Sequence, residues 1–340
     1  MFAYLPIAQW LPDYQKTDAT QDSLAAIIVT LMLIPQSLAY AMVAGLPPVY
    51  GLYASILPLL AYTLLGTSKT LAVGPVAVIA LMTTETLTEL YAIGSPEYIN
   101  GASLLAALSG VVLLMMAILR LGFLTHFISH PVLSGFMTAS GILIIVSQSK
   151  HLLGVTAQGN NALELLLSLF QQIPVTNIYT AAVGIGSLIA LLVSRRYLFA
   201  CFIKVGIPSG WTTQMVKLAP VVVMLLCIAL VSLFQLDTHG VRVVGVIPSG
   251  LPKVSLPSIN LHDIYALLPA AILISLVGFV ESASVGQTLA AKRKQKISPN
   301  QELIALGGAN LASALSAGFP VTGGLSRSVV NFDAGASTPL

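Results

Sequence analysis

The segment GGLSRSVVN, residues 323–331, places a single arginine, Arg327, between apolar stretches just after a Gly-Gly pair. An arginine at the centre of a membrane helix costs about 2.5–3.5 kcal/mol on insertion scales, so a charge kept there is a candidate functional group. Its guanidinium offers a planar fork of donors suited to an oxyanion. The plainer reading is a side chain that snorkels to an interface or ends a helix in a loop. Ser326 and Ser328 flank it with hydroxyl donors. A second break, AVGPVAV at 72–78, also interrupts an apolar run. Paired interruptions in two parts of a polytopic chain point to a transporter's binding site. At each one a short extended stretch precedes a helix start. Leu71-Ala72-Val73 leads to Gly74-Pro75, with Pro75 suited to the first helical position, and Phe319-Pro320-Val321 leads to Thr322-Gly323-Gly324. A helix that begins inside the bilayer points unsatisfied N–H groups and a partial positive charge at whatever lies there. Two such ends facing each other would hold an anion. The glycines also fit simple close packing of helices.

Glu281, in LLPAAILISLVGFVESASVGQ, is the other costly residue. A carboxyl that can be neutral or charged inside a membrane is a proton-relay candidate. The alternative is a hydrogen-bonded or ion-paired contact between helices, with Arg327 as a possible partner. Glu85 lies ten residues beyond Pro75, about 15 Å along a helix, so Glu85 and Glu89 read as boundary residues. The histidines His126, His130, His151, His239 and His262 fall at span ends or in loops without metal-ligand spacing. Cys201 and Cys227 form no disulfide framework or metal motif. No nucleophile–base pair, cofactor motif or nucleic-acid signature stands out, which argues against an enzyme.

The elements that must position these groups are membrane helices. The 340 residues are 56% hydrophobic and only 8% charged, against roughly 25% charged in soluble domains. Runs long enough for spans of about 20 residues fall near 23–43, 49–66, 75–91, 102–119, 132–149, 176–194, 217–235, 264–285, 300–317 and from 324 onward. Residues 121–130 read as a short interfacial helix. Residues 1–22 read as a cytoplasmic N-terminal segment and 236–263 as an external loop. With the N-terminus inside, eleven of the fifteen Lys and Arg fall inside, among them Arg195, Arg196 and the cluster from Lys292 to Lys296. Lys150, Arg242 and Lys253 fall outside and Arg327 within the membrane, the bias the positive-inside rule requires. The basic cluster could also meet lipid head groups.

Three stretches carry a resemblance to a known family. LMLIPQSLAYAMVAGLPP, then PPVYGLYASILPLLAYTLLGTSKTLAVGPVAV at 47–78, and AGFPVTGGLSRSVVN near the end resemble the SulP family of sulfate permeases and related anion transporters. The resemblance implies an all-α polytopic membrane protein with the seven-plus-seven inverted repeat of uracil transporters, with strand-like breaks before the third and tenth helices. It implies a core domain from 23–120 and 264–340 and a gate domain from 121–235. It implies an anion held by Gln36 and Tyr40 of the first span, by Pro75, Val76 and Ala77 at the third helix start, and by Leu325, Ser326 and Arg327 at the tenth. Glu281 matches the acidic residue implicated in proton coupling. The family often has an aromatic residue where this chain has Val76. The chain ends at Ser337-Thr338-Pro339-Leu340, so the expectation is a chain truncated after about ten spans, without the later spans and the cytoplasmic STAS domain, and unable to transport alone.

The implied function is secondary transport of a small oxyanion across a bacterial inner membrane, with sulfate:proton symport first. Sodium-coupled bicarbonate uptake and an anion exchanger, channel or voltage-driven relative are the alternatives. The implied partners are the anion, a proton or sodium ion, membrane lipid and a second copy in a homodimer of the full-length protein. No cofactor or metal and no nucleic acid is implied.

Overall fold

The computed structural model describes residues 5–126, 130–157, 162–206, 208, 212, 215–216, 219–243, 250–252 and 254–340. The apolar runs form helices, the local solution to satisfying backbone polar groups where lipid offers no partners. In chain order the main elements are α1 (Lys16–Val43), α2 (Val49–Leu65), strand β1 (Val73–Gly74), α3 (Ala77–Thr88), α4 (Pro96–Ile118), α5 (His130–Leu153), α6 (Ala162–Gln172), α7 (Ile178–Val193), α8 (Ala219–Leu233), α9 (Leu261–Lys292), α10 (Pro299–Leu315), strand β2 (Thr322–Gly323) and α11 (Leu325–Ala334). Among the described residues, Lys16–Val43, Pro96–Ile118, Ile178–Lys204 and Leu261–Lys292 are long and apolar enough to cross a membrane, and several shorter apolar helices accompany them.

The chain divides into two compact units, Met1–Leu133 with Ile247–Leu340, and Ser134–Val246. In the first unit α10 packs against α4 and α2, α9 against α4, and α1 against α2 and α11. Small residues let α4 and α10 cross closely: a Cβ on Gly110 would stand 2.9 Å from the carbonyl oxygen of Gly307. Tyr62, Leu105, Phe279, Leu303, Leu306 and Phe319 fill the core around them.

Through this core runs a two-stranded antiparallel sheet. Val73 pairs with Gly323, and Gly74 with Thr322. So short a ladder needs support from its neighbours, and side chains supply it. Asn310 of α10 accepts from the Val321 amide and donates to the Val321 carbonyl, both at 2.9 Å. Thr322 donates to the Gly278 carbonyl of α9 at 2.6 Å, and the Gly323 amide donates to Ser282 Oγ at 2.7 Å. On the other strand the Ala72 amide donates to Ser328 Oγ at 3.0 Å. The far end of α11 is fixed too. Arg293 donates to the Phe332 carbonyl at 2.8 Å and to the Ala336 carbonyl, with its guanidinium 4.4 Å from the Phe332 ring centre. A cation on the last carbonyls of a helix complements its dipole. Asp22 of α1 accepts from the Ser337 amide at 2.6 Å and the Thr338 hydroxyl at 2.6 Å.

In the second unit α7 packs against α8. Asn177 caps α7 by accepting from the Thr180 amide at 2.9 Å, and also donates to the His239 carbonyl at 2.9 Å.

Several expected boundaries move. Helix α1 begins at Lys16 rather than 23, because Gln15 and Asp18 close a capping box there. Pro75 is not the first residue of α3: Val76 is its extended N-cap and the helix starts at Ala77. Arg195 and Arg196 lie in a π-helical turn that carries α7 on toward Lys204, past the expected span end at 194. Helix α6 occupies a stretch given no span. Of the interfacial segment, Leu121–His126 is a 3-10 helix and 127–129 lie outside the described residues.

Removing the Asn310 side chain leaves two buried polar groups of Val321 without partners, at about 1–3 kcal/mol each. Asn310→Ala should therefore lower the thermal unfolding midpoint of the purified protein or its folded yield. An unchanged midpoint would contradict the clamp.

Candidate functional site

The sheet brings the two sequence breaks face to face, and Arg327 reaches across them. Its side chain comes from the first turn of α11 and is only 2% exposed. Nη2 donates to the Pro75 carbonyl at 2.7 Å, so the arginine of one break is tied to the backbone of the other. Nη1 is buried and has no hydrogen-bond partner. The guanidinium lies against both break glycines. A Cβ on Gly74 would stand 2.8 Å from Nη1, and one on Gly324 would stand 3.1 Å from Nη2. These glycines are present because the guanidinium occupies the space a side chain would need.

Both helices that start here lack a side-chain N-cap. Val76 precedes α3 and Gly324 precedes α11, and neither caps its helix. By contrast Ser95 caps α4 and Asn260 caps α9. First-turn amides without an internal acceptor carry the partial positive charge of a helix N-terminus.

The other expected residues gather unevenly. Gln36 donates to the Tyr40 hydroxyl at 3.0 Å, and its Oε1 is buried without a partner. Tyr40 lies within Coulombic reach of both Arg327 and Glu281. Glu281 is in turn within reach of Arg327, and its Oε2 is buried without a partner. Gln36, Tyr40, Glu281 and Arg327 are thus brought together. Pro75, Val76 and Ala77 are buried at the start of α3, Leu325 is half-buried and Ser326 is exposed. Pro75 offers its carbonyl, which Arg327 already uses. Ser328 is not a free donor: its hydroxyl donates to the Gly324 carbonyl at 2.7 Å and accepts from Ala72.

The structure adds residues that the sequence alone did not single out. Asn310 clamps β2, and Asn331 of α11 donates to the Thr70 carbonyl at 3.2 Å. Glu302 of α10 is buried at 1% exposure and accepts from Tyr62, Thr67 and Ser68. The one charged residue in the helix was the available signal, weakened by its place in the first turn.

An arginine with its Nη1 unpartnered beside two uncapped helix starts has the features of a site for a small anion. Helices that begin at a buried strand pair beneath such an arginine define a polytopic membrane protein with discontinuous helices. The chain belongs to the sulfate permease family, which it matches over residues 20–340. It is 34% identical over 346 residues to a probable sulfate transporter of Mycobacterium tuberculosis, covering all of this chain and 59% of that protein. It superposes on the solved structure of SLC26A9 with a TM-score of 0.87 at 25% identity, covering 99% of this chain and 54% of the other. The transmembrane domain of the cyanobacterial bicarbonate transporter BicA shares the fold, with a TM-score of 0.78 at 19% identity, 96% of this chain and 80% of that one being covered. The chain spans about half the length of the curated relatives it matches, 59% of one and 48% of another.

Gly74→Ala tests the guanidinium contact without assuming any ligand. Gly74 does not have a positive φ, so an added methyl acts by crowding Nη1. The expected destabilisation is about 1–3 kcal/mol, measured by denaturant or thermal unfolding. It should largely vanish when the same change is made in an Arg327→Ala background. Equal destabilisation in both backgrounds would contradict the contact.

Proposed function

We propose that the protein moves a small inorganic oxyanion, sulfate in the first place, across a bacterial inner membrane by alternating access, with a proton as the coupling ion. The observation that carries this reading is the buried Arg327 with Nη1 unpartnered beside two uncapped helix starts. Membership of the sulfate permease family and relatives described as sulfate transporters support the choice of anion.

In this reading the anion lies before the starts of α3 and α11. It accepts from Arg327 Nη1 and from first-turn amides near Ala77, Leu325 and Ser326. Gln36 and Tyr40 close the site from α1, and Val76 sets its width. Pro75 holds the guanidinium from behind. Glu281 supplies the coupling. A bound dianion and an ionised Glu281 repel each other, so the anion binds better when Glu281 carries a proton. The proton likewise binds better when the anion is present, since such coupling is reciprocal. Ser282 next to Glu281 holds the Gly323 amide, so a change at Glu281 reaches the strand that positions α11. The same reading takes residues 23–120 and 264–340 as the core half of a seven-plus-seven inverted repeat, 121–235 as part of the gate, and the N-terminus as cytoplasmic. The full-length protein would be a homodimer.

Arg327→Ala should insert normally but raise the sulfate KM about tenfold to a hundredfold, the effect of losing a charge-assisted contact worth roughly 1.5–3 kcal/mol. Arg327→Lys should rescue only in part, because an ammonium lacks the fork. Labelled-sulfate uptake into proteoliposomes checks this, and unchanged affinity in the alanine variant would sink the site.

Glu281→Gln separates binding from coupling. The amide matches the protonated acid in shape but releases no proton. The variant should exchange sulfate for sulfate yet lose accumulation driven by a pH gradient, with uptake nearly independent of external pH. Full pH-driven accumulation would rule out the proton role and turn attention to sodium-coupled bicarbonate uptake.

A further inference from the structure

We propose that Glu302 is a positioning residue for this site: its carboxylate fixes the linker between α2 and β1, and through it the start of α3. The inference deepens the proposed function and rests on it for the anion's place.

Glu302 sits in the first turn of α10, remote in sequence from the groups it holds. Its Oε1 accepts from the Thr67 amide at 2.9 Å, the Thr67 hydroxyl at 2.5 Å and the Ser68 amide at 3.2 Å. Its Oε2 accepts from the Tyr62 hydroxyl at 2.7 Å. A chain leaving α2 to become a strand has amides that neither element satisfies. Buried amides need acceptors, and this carboxylate collects two in succession, much as a capping residue would.

From there a run of hydrogen bonds leads toward the site. Ser68 Oγ accepts from the Leu71 amide at 3.3 Å. The Thr70 carbonyl is held by Asn331 and the Ala72 amide by Ser328. Val73 and Gly74 pair with β2, and the next carbonyl, that of Pro75, holds Arg327. Glu302 is the first peg of this run. Loosening it puts slack into the backbone that ends at the guanidinium and at the first amides of α3. Unlike Glu281, whose Oε2 is unpartnered, Glu302 has both oxygens occupied by donors. Four hydrogen bonds from three residues hold the carboxylate in one orientation. That geometry makes Glu302 a fixed anchor.

The test uses the full-length transporter in proteoliposomes, with Glu302→Ala, Glu302→Gln and Tyr62→Phe. Two readouts are taken: deuterium exchange over residues 66–74, and labelled-sulfate uptake across a range of concentration and pH. Glu302→Ala should speed exchange of that segment and raise the sulfate KM about tenfold, the scale of one lost charge-assisted hydrogen bond. The maximal rate per folded transporter should stay within about twofold. Glu302→Gln keeps an acceptor at Oε1 and should restore most of both, and Tyr62→Phe should fall between. The shape of the pH dependence should match wild type throughout. Wild-type exchange and KM in the alanine variant would overturn the proposal. So would a glutamine variant as impaired as alanine, or one that loses pH dependence. Should the alanine variant fail to fold, Tyr62→Phe decides, and wild-type exchange in it would overturn the anchor. If the wild type takes up no sulfate, the functional reading fails, while the exchange measurement still judges Glu302.

Discussion

A guanidinium buried beside a backbone carbonyl from the opposite side of the core is an expensive arrangement. In Arg327 one arm is satisfied by Pro75 and the other is left without a partner. Much of the first unit can be understood as what this arrangement requires. The two break glycines leave space for the planar group. The strand pair fixes the distance between the helix that bears the arginine and the carbonyl that receives it. A shift of β1 against β2 would part Nη2 from Pro75 and leave a buried cation with neither arm paired.

The frame around the strands is polar and almost fully satisfied. Asn310, Ser282, Ser328 and Asn331 each engage backbone groups that the two-residue strands and their flanks leave over, and Thr322 ties β2 to the Gly278 carbonyl of α9. Buried networks of this kind define a conformation when complete and cost dearly when broken. Against that background the incomplete groups stand apart. Arg327 Nη1 and Glu281 Oε2 are buried without partners on residues within Coulombic reach of each other, and Gln36, with its own unpartnered oxygen, is bonded to Tyr40 beside them. A well-bonded scaffold around side chains with unpartnered atoms fits the proposed anion site, where ligand atoms would supply the missing partners.

Arg327 and Glu281 were legible in the sequence because a charge in an apolar run has few innocent explanations. The breaks were legible because Gly and Pro interrupt long hydrophobic runs. What bound the breaks together was not. Gly and Pro mark the two breaks, but nothing in their types says that Gly74 pairs with Thr322. Such a register depends on contacts far apart in the chain. Pro75 suited a first helical position by its fixed φ, yet tertiary pairing kept it in the strand exit and made Val76 the cap. Glu302 was hidden by an ordinary local explanation, since acidic residues are common in first turns. Its partners Thr67 and Ser68 lie some 235 residues away in sequence. Ser328 looked like a ligand donor for want of knowledge that Ala72 would claim its oxygen.

In the proposed function one anion completes the unpaired arm of Arg327 and the two helix starts together. The most direct measurement is the anomalous scattering of selenate, a heavier analogue of sulfate, in crystals of the protein. A peak is expected before the starts of α3 and α11, with an oxygen within about 3 Å of Arg327 Nη1, and its loss is expected in Arg327→Ala crystals. A peak bound elsewhere while this site stays empty at saturating selenate, or one that persists unchanged without the arginine, would contradict it.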